Sequence, residues 1–440
     1  MKFKLIAFLT IIGELMASSL PKYYIEKLDN NLTVCAIPMH NNSGVITTDI
    51  YYKVGSRDEM MGKSGIAHML EHMNFKSTKN LKAGEFDKIV KEHGGVNNAA
   101  TNFDYTHYFI KSSSKYLDIS LKLFAELLEN LSLKDEEFQK ERQVVAEERR
   151  WRTDNNPIGY LYFRLFNEHF TSHSYHWTPI GFKYDILHWN INDIKEFYQK
   201  FYKPENAILV VAGDIDKDEV FKKAKKYFAH IKNKKSEFNS SIFATYTPHE
   251  APRNSKKLVE EHKKGNSAET IAIAYSIPKF DHKDQLILSV ITEILSNGKS
   301  SRLYKDLVEQ KQMATTAYGY NMDLKDEGVF IFFAMATPKY KAEDLQKEIL
   351  SQIQDIKNGK VSQDELNKVK LNIKVNFLKE LDSSSSIASL FGSYLAKGNL
   401  QPLLEYEDFL DKITLKDIQR VANEYFDNNK STTIILRRDR

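Results

Sequence analysis

The order of apolar and polar residues in the first half of the chain predicts two strands followed by amphipathic helices. Residues 32–37 and 45–54 are rich in apolar and β-branched side chains, which indicates β-strands. Residues 64–73 predict a short helix. Residues 115–131 predict a longer one, because large apolar side chains recur there at the spacing of one helix face: Leu117, Leu121, Phe124, Leu128 and Leu131.

A further helix is predicted over residues 132–153. Ser132 is a suitable N-cap, and the acidic residues at 135–137 would lie in the first turn, where the helix dipole favours negative charge. The segment 154–157, with the sequence Asp-Asn-Asn-Pro, predicts the end of this helix.

One helix–strand pattern occurs twice. Asp193 opens a predicted helix that is followed by a strand at 207–212, and Asp417 opens a similar helix that is followed by a strand at 431–436. Both features recur after 224 residues, about half of the chain. We therefore expect an α+β fold with two homologous halves, each an antiparallel β-sheet covered by α-helices.

A polar stretch near the middle of the chain predicts the boundary between these halves. Residues 232–255 are weakly periodic and include two prolines, which is typical of a linker. This places an N-terminal domain at 20–231 and a C-terminal domain at 256–440.

Residues 1–19 have the pattern of a secretory signal peptide. Two lysines precede an apolar run at 5–12, and the small residues Ala17 and Ser19 follow it. The run is too short to span a bilayer, so no stable membrane span is expected. A buried N-terminal helix is the alternative, because Glu14 is unusual in a signal sequence. We favour the signal peptide and a periplasmic or secreted protein.

Charge and cysteine content narrow the chemistry. The chain of 440 residues has 63 Lys and Arg against 59 Asp and Glu, a balance that argues against a nucleic-acid partner. Its single cysteine, Cys35, excludes internal disulfides and a Cys-rich zinc site. Any bound metal would therefore be held by histidines and carboxylates.

One short motif suits such a metal. His68, Glu71 and His72 form the pattern H-x-x-E-H within a predicted helix. Residues four apart share a helix face, so both imidazoles can reach one ion, and Glu71 lies close enough to act on a water there. This is the inverzincin signature. Taken alone, the pentapeptide is about as often a chance occurrence on a surface helix as a metal site. A catalytic zinc also needs a third protein ligand.

The predicted helix at 132–153 offers that third ligand. Glu141 and Glu148 are seven residues apart and fall on nearly the same face, whereas Glu147 points away. One of the two would bind the metal and the other would support the site, and helix geometry does not decide which. His173 and His176 form a second possible metal pair, which we interpret as structural because no acidic ligand is nearby.

Several blocks around the motif resemble the pitrilysin/insulysin family of inverted-zincin metallopeptidases, in the branch of mitochondrial processing peptidase and its bacterial relatives. In order along the chain, the matching blocks are 54–59 (VGSRDE), 65–78 (GIAHMLEHMNFKST), 98–101 (NAAT), 104–106 (DYT), 141–148 (ERQVVAEE) and 300–303 (SSRL).

The resemblance implies a role for each residue. His68, His72 and Glu148 would bind one Zn²⁺ per chain, and Glu71 would be the general base. Glu141 would not bind the metal and would support its ligands from behind. The family's edge strand, which binds an extended peptide, corresponds to Asn98, Ala99, Ala100 and Thr101. The implied activity is that of a zinc-dependent endopeptidase acting on peptides or unfolded segments.

In one respect this sequence departs from the active members of the family, and the difference bears on whether the chain can catalyse cleavage alone. Active relatives carry an Arg and a Tyr that help to hold the substrate, whereas Val308 and Thr315 stand at the corresponding places here. We therefore expect a homodimer, or a heterodimer with a related chain that supplies the Arg/Tyr pair. The alternative function is that of a non-catalytic structural or regulatory subunit in a two-chain assembly.

Overall fold

A computed structural model describes residues 19–233 and 249–439. The predicted signal peptide, apart from residue 19, and most of the predicted linker at 232–255 lie outside the described residues. No helix in the described ranges is both long and apolar enough to cross a membrane.

The first half contains six described strands and eight described α-helices. The strands are β1 (Tyr24–Lys27), β2 (Thr33–Pro38), β3 (Val45–Tyr52), β4 (Val96–Thr101), β5 (Thr106–Ser113) and β6 (Ala207–Gly213). The helices are α1 (Ile66–Asn74), α2 (Glu85–Glu92), α3 (Leu117–Asn130), α4 (Asp135–Arg149), α5 (Pro157–His169), α6 (Lys183–His188), α7 (Ile191–Phe201) and α8 (Lys217–Phe228).

The second half contains five described strands and seven described α-helices. The strands are β7 (Lys257–His262), β8 (Thr270–Ile277), β9 (Ala314–Met322), β10 (Gly328–Ala336) and β11 (Thr432–Arg437). The helices are α9 (Asp284–Ser296), α10 (Ala342–Lys357), α11 (Gln363–Glu380), α12 (Ser384–Lys397), α13 (Gln401–Leu404), α14 (Tyr406–Lys412) and α15 (Leu415–Tyr425).

The two sheets have the same topology. The first has the order β1-β2-β6-β3-β5-β4, and the second has the order β7-β11-β8-β10-β9. Apart from β1, each position is filled by the corresponding element of the other half. The α+β fold with two helix-covered sheets is therefore confirmed. One detail differs from the predicted antiparallel sheets, because β2 pairs with β6, and β7 with β11, in parallel.

The repeated helix begins with a capping box in both halves. Asn190 caps α7 in a capping box with Asp193, and Thr414 caps α15 in a capping box with Asp417. In each box the cap side chain accepts from the backbone three residues later, and the aspartate accepts in return. The predicted cap of the fourth helix is wrong, because α4 begins at Asp135 with Lys134 at its N-cap and no side-chain cap bond.

The halves cover each other's sheets. One face of the first sheet packs on helices of the first half, and its other face packs on α12 from the second half. In the same way, α5 from the first half covers one face of the second sheet. Each of these two packing contacts between the halves includes a hydrogen bond. Thr47 bonds Ser384 at 2.9 Å, and His169 bonds Thr432 at 3.1 Å. Each half therefore completes the core of the other.

Candidate metal centre

The helix that carries the histidine motif is fixed at its N-terminus by buried groups. Gly65 precedes α1 with φ +82°, and a Cβ there would lie 2.6 Å from the carbonyl oxygen of Ile180. The carboxylate of Glu59 accepts from the backbone N–H groups of Gly65 and Ala67 at 2.7 and 2.8 Å. These bonds satisfy N–H groups that a helix leaves free in its first turn. The position of α1, and of the motif on it, is thus set by packing around its first turn.

Three predicted ligands converge between α1 and α4. The Nε2 atoms of His68 and His72 lie 3.7 and 3.3 Å from Oε2 of Glu148. One ligand atom from each residue lies within 4.8 Å of the others, and within the described ranges this is the single such group of three or more His, Cys, Asp or Glu side chains. Two imidazoles and one carboxylate are a ligand set of catalytic zinc sites. The donor chemistry therefore fits a zinc ion.

Further side chains orient these ligands from outside. Glu141 accepts from Nδ1 of His72 at 2.8 Å, which directs Nε2 towards the other ligands. Lys76 in turn lies 2.6 Å from the second oxygen of Glu141. Arg152 contacts Oε1 of Glu148 at 3.0 Å, so that Oε2 is the oxygen that faces the histidines. The sequence did not predict these contacts of Lys76 and Arg152, because the positions of the two residues along the chain do not indicate that they reach Glu141 and Glu148.

The two candidate histidine ligands differ in protonation near pH 7. Burial, together with the charge of His72, lowers the pKa of His68 to about 4, so its imidazole is neutral near pH 7. Burial would lower the pKa of His72 as well, but its bonds to Glu141 and Glu148 raise it to about 9. Burial would raise the pKa of Glu148, yet the hydrogen bond from His72 and nearby positive charges lower it to about 2. A metal ion would replace the proton that His72 shares with Glu148.

Glu71 lies beside this group and contacts the edge strand. The hydroxyl of Thr101 donates to Oε2 of Glu71 at 2.6 Å. Burial raises the pKa of the Glu71 carboxyl, and the bond from Thr101 partly opposes that rise. Thr101 is the last residue of β4, which pairs with β5 on one side and ends the order of the first sheet. The structure thus places the predicted base and the predicted peptide-binding strand in direct contact.

The other sequence candidates lie elsewhere. Glu147 is exposed and pairs with Arg150, away from the histidines. His173 contacts Asp326 at 3.1 Å, whereas Nδ1 of His176 bonds the carbonyl of Phe170, so the two imidazoles have separate partners.

The positions expected to hold the Arg/Tyr pair carry neither residue. Val308 is partly buried against the second core, and Thr315 is exposed on β9. The nearby Arg302 is engaged with the carboxylate of Glu365 at 2.5 Å.

Comparison with known proteins identifies the family. The family model described as Insulinase (Peptidase family M16) matches residues 36–170, and the model described as Peptidase M16 inactive domain matches residues 188–373. The zinc protease PqqE of Helicobacter pylori is 51% identical over 421 residues, which cover 96% of this chain and 94% of that protein. The chain belongs to peptidase family M16. The resemblance inferred from the sequence blocks is therefore confirmed.

A solved structure and a second curated protein also match along nearly the whole chain. The crystal structure of a protease from Helicobacter pylori superposes with a TM-score of 0.92 at 50% identity and covers 95% of this chain and 100% of that one. Mitochondrial-processing peptidase subunit beta of Saccharomyces cerevisiae is 25% identical over 440 residues, with 96% of this chain and 92% of that protein covered. The chain is thus a member of a family of zinc metallopeptidases.

Proposed function

We propose that this chain is a zinc-dependent endopeptidase that cleaves peptides or unfolded polypeptide segments. The observation that carries the proposal is the convergence of His68, His72 and Glu148 with Glu71 beside them on the same helix. One zinc ion per chain would be held by those three side chains. When bound, zinc would polarise the scissile carbonyl and lower the pKa of a water molecule.

The chain's own groups would then move the proton. Glu71 would accept a proton from the attacking water and return it to the leaving amine. Burial raises the pKa of this carboxyl, which makes its ionised form a stronger base. The bond from Thr101 would hold the carboxylate in place between these two transfers.

The peptide would bind as an added strand on β4. The outer side of β4 has no strand partner among the described residues, and Asn98, Ala99, Ala100 and Thr101 lie along it. Main-chain hydrogen bonds to this edge would hold an extended segment and exclude a folded one. Because β4 ends at the residue that contacts Glu71, a peptide bound there would pass close to the proposed base.

The alternative is a non-catalytic structural or regulatory subunit. It is favoured by the side chains in the second half, where Val308 and Thr315 replace the expected Arg/Tyr pair and Arg302 is engaged with Glu365. We accordingly propose a homodimer, or a heterodimer with a related chain that contributes that pair. We also propose a periplasmic or secreted location, on the strength of residues 1–19 alone.

Metal content and peptide cleavage together test the proposal. The purified protein should contain about one zinc per chain and cleave members of a peptide library, and a chelator should abolish cleavage until zinc is restored. Glu71→Gln should lose activity by at least about 100-fold and keep its zinc, because it removes the base and no ligand.

Three outcomes would change the proposal. A protein without zinc would favour the structural subunit. Zinc loss in Glu71→Gln would contradict the role of that residue as a base. Activity that appears only after a related chain is added would identify the heterodimer.

A further inference from the structure

A polar recess lies on the face of the first sheet that is remote from the metal centre. Its volume is about 500 Å³, and it is enclosed by β3 and β5 on one side and by α12 on the other. Asp49, Tyr105 and His107 line it from the sheet, and Ser389 lines it from the helix. Neighbouring residues Tyr108 and Ile110 point into the core that contains α1, so the recess and the motif helix are on opposite faces.

Asp49 is buried here without adequate pairing. It is 2% exposed, and no hydrogen-bond donor among the described residues meets its Oδ1 atom. Its other oxygen has only distant neighbours, the hydroxyl of Tyr51 at 3.5 Å and Nδ1 of His107 at 4.0 Å. Burying a carboxylate without partners is costly, and such groups are normally matched by a cation.

The rest of the lining adds a second carboxylate and no cationic side chain of Lys or Arg among the described residues. Glu380, at the end of α11, also lines the recess; it is exposed to solvent and has no ion pair or hydrogen bond among the described residues. No lysine or arginine is among the described side chains that line it. The ring of His107 stacks on Tyr51 with centroids 4.9 Å apart, and its Nδ1 has no hydrogen-bond partner among those residues. A buried carboxylate with one oxygen left without a donor and an exposed second carboxylate, both beside aromatic rings, form an environment that suits an organic cation.

We propose that this recess binds a guanidinium or alkylammonium group, with Asp49 as its principal charge partner and Glu380 as the second. The serine hydroxyls of α12, including Ser389, would accept the remaining donors of that group. The binding site is separate from the metal centre and does not require the peptidase activity.

Two sources can supply such a cation. One is a free small molecule, and the other is a lysine or arginine side chain of a bound peptide. The second is compatible with the sheet, because Ala100 of β4 pairs with His107 of β5 in register. Alternate side chains of a peptide strand added to β4 would lie on the recess face of the sheet. Only this second source rests on the proposed function.

Calorimetric titration of the full chain tests the site. L-arginine amide should bind at least about ten-fold more tightly than the neutral, nearly isosteric L-citrulline amide. A peptide arm should use zinc-loaded Glu71→Gln and two peptides that differ only in arginine against citrulline. If only the peptide arm shows a preference for arginine, the bound cation is a side chain of the substrate. If both arms show it, the recess also binds free cations.

Three variants complete the experiment. Asp49→Asn should remove the preference and leave the melting temperature unchanged or higher, because a neutral isostere replaces a buried acid whose Oδ1 meets no donor among the described residues. Glu380→Gln should weaken the preference, whereas Asp355→Asn, in a surface pair with Lys360, should have no effect. Equal binding of arginine and citrulline ligands in both arms, or a preference that survives both Asp49→Asn and Glu380→Gln, would overturn the proposal. Loss of peptide cleavage alone would not, since the amide arm is independent of it.

Discussion

The hydroxyl of Thr101 donates a 2.6 Å hydrogen bond to the carboxylate of Glu71, 30 residues earlier in the chain. This contact joins the end of the edge strand to the proposed general base. A peptide seated along β4 would therefore meet a base that the same strand holds in position.

Thr101→Val should lower peptide cleavage and change its pH dependence. Without the hydroxyl, the pKa of Glu71 rises further, since burial raises it and Thr101 opposes the rise. A base must be ionised to act, so the acidic limb of the pH–rate profile should move to higher pH. We expect kcat at pH 7 to fall by about ten-fold. Thr101→Ser keeps the hydroxyl and should retain the wild-type profile, and an unmoved acidic limb in Thr101→Val would contradict this role.

Lys76→Gln should weaken zinc binding without removing a ligand. Lys76 neutralises Glu141, and Glu141 orients His72, so the loss acts through two contacts of 2.6 and 2.8 Å. Outer-shell partners of this kind typically contribute 10- to 100-fold in metal affinity, and we expect about ten-fold here. Competition with a chromogenic chelator measures it. Lys76→Arg should keep most of the zinc affinity. Lys88→Gln is the matched control, because Lys88 is exposed and pairs with Glu92.

Asp326→Asn should destabilise the fold in a pH-dependent way. Burial would raise the pKa of Asp326, but hydrogen bonds from His173 and Arg57 lower it to about 2. A carboxyl with a depressed folded-state pKa stabilises the protein above its unfolded value, near 4, and this contribution is lost as the pH falls towards 2. At pH 7 we expect the free energy of unfolding to drop by about 2 kcal/mol.

Denaturant titrations of wild type and Asp326→Asn at several pH values would measure this difference. It should be constant from pH 7 to about 5 and shrink below pH 4. Asp355→Asn, at the surface pair with Lys360, should cost less than about 1 kcal/mol. A difference between wild type and Asp326→Asn that grows on acidification would show the opposite sign of linkage.

The two halves should not fold well in isolation. Residues 20–231 produced alone would leave the first sheet without α12, which buries Phe391 and Ala388 against Tyr51 and Val210. Exposed apolar surface of this kind promotes aggregation. We expect the fragment to bind a hydrophobic dye or precipitate, and co-production with residues 256–440 to recover a soluble complex. If the 20–231 fragment is soluble and unfolds cooperatively, the first half does not need α12 in order to fold.

Local spacing was sufficient to predict which helix faces carry the candidate metal ligands. His68 and His72 are one helical turn apart, and Glu141 and Glu148 are two turns apart, so their faces follow from helix geometry wherever the helices lie. The choice of Glu148 as ligand and Glu141 as supporting residue required the family resemblance. The structure brings Glu148 to both Nε2 atoms and Glu141 to Nδ1 of His72.

The amino-acid sequence by itself determined the duplicated architecture, the motif helix and the amphipathic faces, because these depend on residues a few positions apart or on a repeated pattern. Only the tertiary structure decided that α5 and α12 each cover the sheet of the other half, and that Lys76 reaches Glu141. It alone also decided that Asp49 faces a recess with an Oδ1 atom that meets no donor among the described residues. Such contacts depend on strand order and packing between distant segments. No periodicity along the chain encodes them, since the same local pattern is compatible with many arrangements of its elements.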